Sequence, residues 1–313
     1  MENDPIRIAV VGAGGVGGYF GGRLAAAGID TTFIVRGATL EALRTRGLKV
    51  ESVTGDFALD SVHATDDPAT AGPVDAVLLA VKAWQIPDAA AAVKPMLKPD
   101  SIVVPLENGM EAPDQIAEAA GREHAMGGLC GIVSFIVQPG HIRHTATEPF
   151  IMFGELDNAR TPRAERLRAT LGRAGIKADI PIDIHRSMWT KFLFITAMSG
   201  AGAVTRVPIG VWRNQPETRA LVTQAVEEVL AVATARGITL DPNAVAETLA
   251  RYDALPPAST SSLQRDVMEG KPSELDAQLG AVVRMAAAAG VATPVCSFLY
   301  AALLPQERIA RGL

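Results

Sequence analysis

The stretch MWTKFLFITAMSG, residues 188–200, sets a single charged group, Lys191, among side chains suited to a protein core. An ammonium there either extends along its own methylenes to water, finds an anionic partner, or has its pKa lowered for a chemical task. A second group of residues with chemical potential is the run Gly12, Ala13, Gly14, Gly15, Val16 and Gly17, a G-x-G-x-x-G pattern. In this pattern the first glycine permits a tight turn, the second lets the backbone approach a pyrophosphate, and the third brings helix and strand close together. Free N–H groups at the helix start then hold the anion.

The elements around these residues give the patterns their context. RIAVV reads as a short apolar strand, the glycines open a helical pattern, and TTFIVR reads as a second strand ending at Arg36. Such a strand–glycine turn–helix–strand unit is the dinucleotide-binding fingerprint, whereas the glycine pattern alone is weak. An acidic residue after the second strand would bind the ribose hydroxyls of NAD. Arg36, with Thr39 nearby, instead suits the 2′-phosphate of NADP, so NADP(H) is the expected cofactor. Gly18, Gly21 and Gly22 fall inside the first helix, each at a cost of about 1 kcal/mol relative to alanine, and predict a helix face pressed against sheet or cofactor.

Two further strands end in polar residues. VDAVLLAVKAWQ is almost wholly apolar and runs out at Lys82, and SIVVPLENGM runs out at Asn108. In an open parallel sheet the ligand lies beyond the carboxyl ends of the strands, which aims Lys82 and Asn108 at the nicotinamide end. HAMGGLCGIVSFIVQPGHIRHT and FIMFGE then predict antiparallel strands, RAERLRATLGRAG an amphipathic helix, and IKADIPID a last strand. Beyond about residue 183 the pattern is helical. The expected fold is α/β, a Rossmann-type doubly wound sheet over residues 1–182 followed by an all-α domain over 183–313.

Composition narrows the function classes. With 48% hydrophobic residues, 20% charged and a net charge of −5, the chain reads as an ordinary globular protein without a nucleic-acid or anionic-membrane surface. Two cysteines, Cys130 and Cys296, form no disulfide framework or metal-ligand spacing, so no metal is expected and the default setting is the reducing cytoplasm. With the first strand starting almost at once, no signal peptide is expected. The uncharged stretch 285–304 has the length of a membrane span, but Gly290 and Pro294 divide it into two short helices of a globular domain.

In the same order along nearly the whole chain, GAGGVGGYFG, Arg36, VKAWQ, ENGM, WTK, TSSLQRDVMEGKPSELD and TPVCSFLYAALL resemble the ketopantoate reductase (2-dehydropantoate 2-reductase) family. The TSSLQRD-to-SELD pair, with Glu274 twelve residues after Ser262, is the specific part of the match. The resemblance implies NADPH-dependent reduction of a 2-oxo acid, with Lys191 as proton donor to the substrate carbonyl. An adjacent ammonium would stabilise the charge that hydride addition builds on the carbonyl oxygen. By the same resemblance Glu274 is either the partner of Lys191 or a ligand of the cofactor ribose, and Ser262 holds the substrate carboxylate. Asn108 touches substrate and nicotinamide, and Lys82 acts near the cofactor. The family's asparagines four and eight residues after that lysine, and a third in a P-N-G turn, hydrogen-bond the substrate. Here those positions are Ile195, Ser199 and Ile209, with Ser199 and Arg206 as candidate replacement contacts. The substitutions predict a more apolar substrate pocket and keep open a reductase for a different, more apolar oxo acid. A nucleotide-binding sensor without turnover is the alternative of another class. A homodimer through the helical domain is compatible with the sequence, which does not specify it.

Overall fold

The computed structural model describes residues 6–313 and, Thr147 apart, their side chains. Residues 1–5, the start of the expected first domain, lie outside the described residues. Contacts group the chain into two units: the first ends at Ile184 and lacks Asn108–Glu111, and the second joins that short strap to His185–Leu313.

In the first unit β1 (Arg7–Val11), α1 (Gly15–Ala26), β2 (Asp30–Ile34), α2 (Gly37–Arg46), β3 (Leu48–Ser52), β4 (Phe57–Leu59) and β5 (His63–Thr65) come first. They are followed by β6 (Val74–Leu79), α3 (Ile86–Val93), β7 (Leu97–Pro105), α4 (Ala112–Ala120), β8 (Met126–Gln138), β9 (His141–Glu155), α5 (Pro162–Arg173) and β10 (Lys177–Asp179). A parallel sheet runs in the order β5-β2-β1-β6-β7, the doubly wound arrangement expected. Its central strands are covered on both faces, which is why β1 and β6 are apolar nearly throughout. Asp75 interrupts β6. Burial opposes its charge, yet the Arg7 N–H, Lys98 and Arg166 all bond to it and keep its carboxyl below the usual carboxylate range.

A second sheet runs β10-β9-β3-β4, with β8 antiparallel along β9. Helix α1 lies between the two sheets. A Cβ on Gly21 would stand 2.5 Å from the ring of Phe33 in the first sheet. At Gly18 and Gly22 it would stand 2.7 Å from Ile142 and 2.8 Å from Leu48 in the second. The glycines that weaken α1 as an isolated helix are thus what lets it enter the gap, and the crowding expected of that face comes from both sheets.

The second unit contains α6 (Ile184–Thr205) from His185 onward, α7 (Ile209–Trp212), α8 (Pro216–Ala235), α9 (Ala244–Ala254) and α10 (Ser262–Met268). A π-helical turn, Asp276–Gly280, then leads into α11 (Ala281–Ala289) and α12 (Pro294–Arg311). Trp189, Phe192, Trp212, Val229, Tyr252, Leu279 and Leu299 are among the residues that build its core. The hydroxyl of Tyr252 on α9 donates to the Phe194 carbonyl of α6 at 2.6 Å, fixing those helices against each other. Gly290, with φ +68°, ends α11, and Pro294 starts α12, so the uncharged stretch is bent as expected. No helix among the described residues is long and apolar enough to cross a membrane.

One buried carboxylate holds this unit together from within. Glu228 of α8 accepts the N–H groups of Val295 and Cys296 at 2.9 and 2.8 Å, capping the start of α12. The negative charge there also meets the positive end of the helix dipole. Burial, reinforced by the adjacent Glu228 charge, pushes the Cys296 thiol above its ordinary pKa, so this cysteine is an inert core residue. Glu228→Ala leaves two buried N–H groups unpaired, and a loss of about 2–4 kcal/mol in denaturant-melt stability is expected. Glu228→Gln, which keeps an acceptor, should lose less.

Candidate active site

The parallel register puts the chemistry of the first unit along one sheet edge. Val11 pairs with Ile34 and with Leu79, so the loops after β1, β2 and β6 leave the sheet side by side. These loops carry the glycine run, Arg36 and Lys82. Gly12 has φ +87°, a conformation that favours glycine, and a Cβ there would also press on the Ala80 carbonyl at 2.8 Å. A Cβ on Gly17 would overlap the Gly12 carbonyl oxygen. Ala13 is buried, and Val16 packs against the core beneath the turn.

Gly14, the N-cap of α1, makes no side-chain cap, and the first turn contains no acidic residue. The amides there are free to meet an anion. Arg36 is exposed at the N-cap of α2 and makes no hydrogen bond or ion pair among the described residues. Lys82 is half-buried and opens a short 3-10 turn, Ala83–Gln85, whose Gln85 side chain accepts the Lys82 N–H at 3.2 Å. A glycine cradle, an uncapped helix start and an uncommitted guanidinium fit a phosphorylated dinucleotide.

On the second unit Lys191, Ile195 and Ser199 recur at i, i+4 and i+8, along one face of α6. Lys191 is half-buried beside Trp189, Phe192 and Leu193, all buried. It makes no hydrogen bond or ion pair among the described residues, and none therefore joins it to Glu274. Glu274 is buried and accepts from the Asn108 amide at 3.5 Å. The strap carrying Asn108 belongs to this unit through two further ties. Met110 packs against the helical core, and Glu111 takes a two-pronged bond from Arg284 at 3.3 and 2.7 Å. Burial works against the Arg284 charge, but its bonds to Glu111 and Asp276 outweigh that and raise its pKa above the ordinary value.

The residue before Glu274 is clamped by α12. Glu307, buried, accepts both the Ser273 N–H, at 3.0 and 3.1 Å, and its hydroxyl, at 2.6 Å. Arg311 donates to the Ser273 carbonyl at 2.9 Å and to Glu307 at 2.6 Å. Tyr300 and Arg284 hold the Asp276 carboxylate on the far side. The backbone on either side of Glu274 is therefore fixed by side chains from α11 and α12, of which only Tyr300 lies in a motif.

The remaining expected residues divide plainly. Ser261 caps α10, accepting the Gln264 N–H at 3.0 Å, which leaves Ser262 half-buried at the first helical position with no side-chain bond among the described residues. Ser199 is wholly buried, whereas Arg206 is exposed and ends α6 with φ +59°. Of the two candidate replacement contacts, the structure puts Ser199 inside and Arg206 outside. Ile209 is a core residue, 0% exposed, and Ile195 packs on the same core.

Two residues of this region escaped the motif reading. Gln278, wholly buried, follows Glu274 by one turn, and Ser134 of β8 lies against the start of α1, where a Cβ on Gly15 would stand 2.7 Å from its hydroxyl. Neither has a local signal, because each is a polar residue whose burial depends on a distant segment.

A dinucleotide cradle on one unit and an ammonium with a buried carboxylate on the other place the chain among the nicotinamide-dependent oxidoreductases. Comparison with known proteins narrows this. The family model described as ketopantoate reductase PanE/ApbA matches residues 8–158, and its C-terminal counterpart matches 183–307. The chain is 32% identical to an uncharacterised oxidoreductase, YkpB, of Bacillus subtilis (strain 168), over 96% of this chain and 99% of that one. It is 30% identical to a 2-dehydropantoate 2-reductase of Nostoc sp., over 94% and 93%. The crystal structure of a 2-dehydropantoate 2-reductase from Geobacter metallireducens GS-15 superimposes with a TM-score of 0.89 at 30% identity, covering 96% of this chain and 99% of that one. The chain belongs to the ketopantoate reductase family. It is an oxidoreductase, and its cofactor is NADP(H).

Proposed function

We propose that the protein reduces a 2-oxo acid to the 2-hydroxy acid, with 2-dehydropantoate (ketopantoate) as the substrate and pantoate as the product, on the route to pantothenate and coenzyme A. The observation that carries the reading is Lys191: a half-buried ammonium without a partner among the described residues, on the unit that also buries Glu274 against Asn108. When bound, the cofactor supplies the hydride. Lys191 Nζ stabilises the charge that appears on the carbonyl oxygen and then gives it a proton, completing the hydroxyl. The Ser262 hydroxyl and the free amides at the start of α10 receive the substrate carboxylate. Asn108 spans substrate and nicotinamide, and Glu274, bonded to its amide, keeps that side chain in place. The cytoplasm is the proposed location, where Cys130 and Cys296 stay as thiols.

The test is loss of nicotinamide absorbance with ketopantoate, set against branched apolar 2-oxo acids. Fast turnover of ketopantoate supports the reading. A faster apolar acid favours the second reading, motivated by Ile195 beside Lys191 on α6, in which the chemistry is the same and the substrate differs. Tight NADPH binding with no turnover of any oxo acid would make the protein a sensor.

Arg36 gives a separate expectation for the cofactor. Arg36→Ala should weaken NADPH binding by about 10–10²-fold, the size of a charge-assisted bond lost, and leave NADH binding unchanged. Fluorescence titration with both nucleotides measures it. Equal losses for the two would show that Arg36 does not meet the 2′-phosphate.

A further inference from the structure

Four residues, Asn108–Glu111, group by their contacts with the helical unit, although the chain on either side of them belongs to the first. This strap is tied at both ends to one stretch of that unit, from Glu274 to Arg284. At its first residue the Asn108 amide donates to the Glu274 carboxylate at 3.5 Å, the outer limit of a hydrogen bond. At its last residue Glu111 accepts two N–H groups of Arg284, at 3.3 and 2.7 Å. Two-pronged, charge-assisted bonds of that kind are about twice as strong as neutral ones, and they fix direction as well as distance. The bond made by Asn108 itself is too long to set the position of its side chain. The grip three residues later is strong enough to do so.

The guanidinium is itself held in place. Arg284 Nη1 donates to Asp276 Oδ1 at 2.9 Å and Nη2 to the Asp276 carbonyl at 3.1 Å. The hydroxyl of Tyr300 donates to the same Oδ1 at 2.9 Å. One planar fork thus joins a residue of the strap to a residue two places beyond Glu274, and so refers the segment carrying Asn108 to the segment carrying Glu274. A lysine, a single point charge, does not reproduce that fork. The Arg284, Glu111 and Asp276 side chains are 45%, 36% and 58% exposed, and ion pairs so exposed contribute little to stability. What this one supplies is geometry. The Arg219–Asp253 pair between α8 and α9 is also two-pronged, at 2.8 Å on each prong, but joins no segment with a candidate site residue.

We propose that Arg284 is a positioning residue for oxo-acid reduction: by gripping Glu111 and Asp276 together it seats the strap so that Asn108 meets substrate and nicotinamide. This rests on the reading of Asn108 given above, and it puts the control of that residue on α11, in a side chain outside every motif of the chain. Arg284 touches neither substrate nor cofactor in this scheme and acts through Asn108 alone.

Arg284→Met removes the fork and keeps an apolar stem. Its kcat/KM for ketopantoate, or for whichever branched 2-oxo acid the wild type prefers, is expected to fall by about 10–10²-fold, as a misplacement of about 1 Å can cost. NADPH should bind more weakly, whereas adenosine 2′,5′-bisphosphate, which has no nicotinamide for Asn108 to touch, should bind as to the wild type. Glu111→Gln breaks the same grip from the strap and should show the same pattern, which keeps the test open if Arg284→Met does not fold. Arg219→Met, an equal loss of an exposed two-pronged pair, should change neither rate nor binding. The deciding comparison is a double-mutant cycle: Arg284→Met with Asn108→Ala should be no slower than Asn108→Ala alone. Wild-type kinetics in Arg284→Met and Glu111→Gln, or losses that multiply with that of Asn108→Ala, overturn the proposal. Equal weakening of NADPH and the bisphosphate overturns it too, since that marks general damage. If the wild type reduces no oxo acid, the functional reading fails by itself, and the two titrations judge the clamp. Weakening of NADPH alone, no greater in the double variant than in Asn108→Ala, supports it, and any other pattern overturns it.

Discussion

With Lys191 replaced by alanine, kcat for oxo-acid reduction is expected to fall by about 10²–10⁴-fold, the range that a positioned acid contributes. NADPH affinity and the melting temperature should barely change. The structural reasons are specific. Alanine is the best helix former, so α6 keeps its backbone preference. Among the described residues Lys191 bonds to no other side chain, and its removal strands no buried partner there. Only the methylenes of a half-buried side chain are lost. Lys191→Arg keeps the charge but holds its proton far more tightly, so it should restore a small part of the rate at most. Initial rates, a nucleotide titration and a melt on the same preparations decide the matter. An unchanged kcat would return Lys191 to the status of a helix lysine reaching for water.

The second large effect separates two glycines that look alike in the sequence. Gly17→Val is expected to damage both the fold and the cofactor site, because any Cβ there overlaps the Gly12 carbonyl and comes within 2.9 Å of Ala80. Forcing the turn open costs about 1–3 kcal/mol, or about 10–10²-fold in NADPH affinity if borne by the site, with a lowered melting temperature besides. Gly14→Ala should behave differently. Gly14 has an ordinary extended backbone, φ −74° and ψ −161°, and the nearest atom to an added Cβ is the Ile136 side chain at 3.7 Å. Nothing in the protein itself requires glycine there. A methyl at this position should leave stability unchanged and weaken NADPH binding, since only the approach of a pyrophosphate leaves it no room. If Gly14→Ala binds NADPH as the wild type does, the pyrophosphate does not lie over that residue.

The candidate residues that were legible in the chain are those whose role follows from local pattern. Gly12 to Gly17 lie between an apolar strand and a helix, Arg36 lies at the end of the next strand, and Lys82 and Asn108 lie just beyond two more. Strand alternation, apolar runs and glycine punctuation are properties of neighbours in sequence, and parallel pairing then brings those strand ends to one edge without further information. The helical pattern after residue 183 and the bend at Gly290 and Pro294 are legible for the same reason. Lys191 stands out in the sequence as a charge in an apolar stretch.

What the tertiary structure alone decided is the environment of polar residues. ELDAQLG does not say that Gln278 is wholly buried, with neither end of its amide paired among the described residues; that follows from α6 packing on the π-turn. STSS does not say which serine caps α10, and the answer, Ser261, is what frees Ser262. Nor does the sequence show that Glu228 caps a helix in a distant segment, or that Glu307 and Arg311 hold the backbone beside Glu274. Hydrogen-bond partners and burial are long-range quantities, set by which segments the core brings together. A glutamine or glutamate reads the same in sequence whether water or a buried N–H receives it.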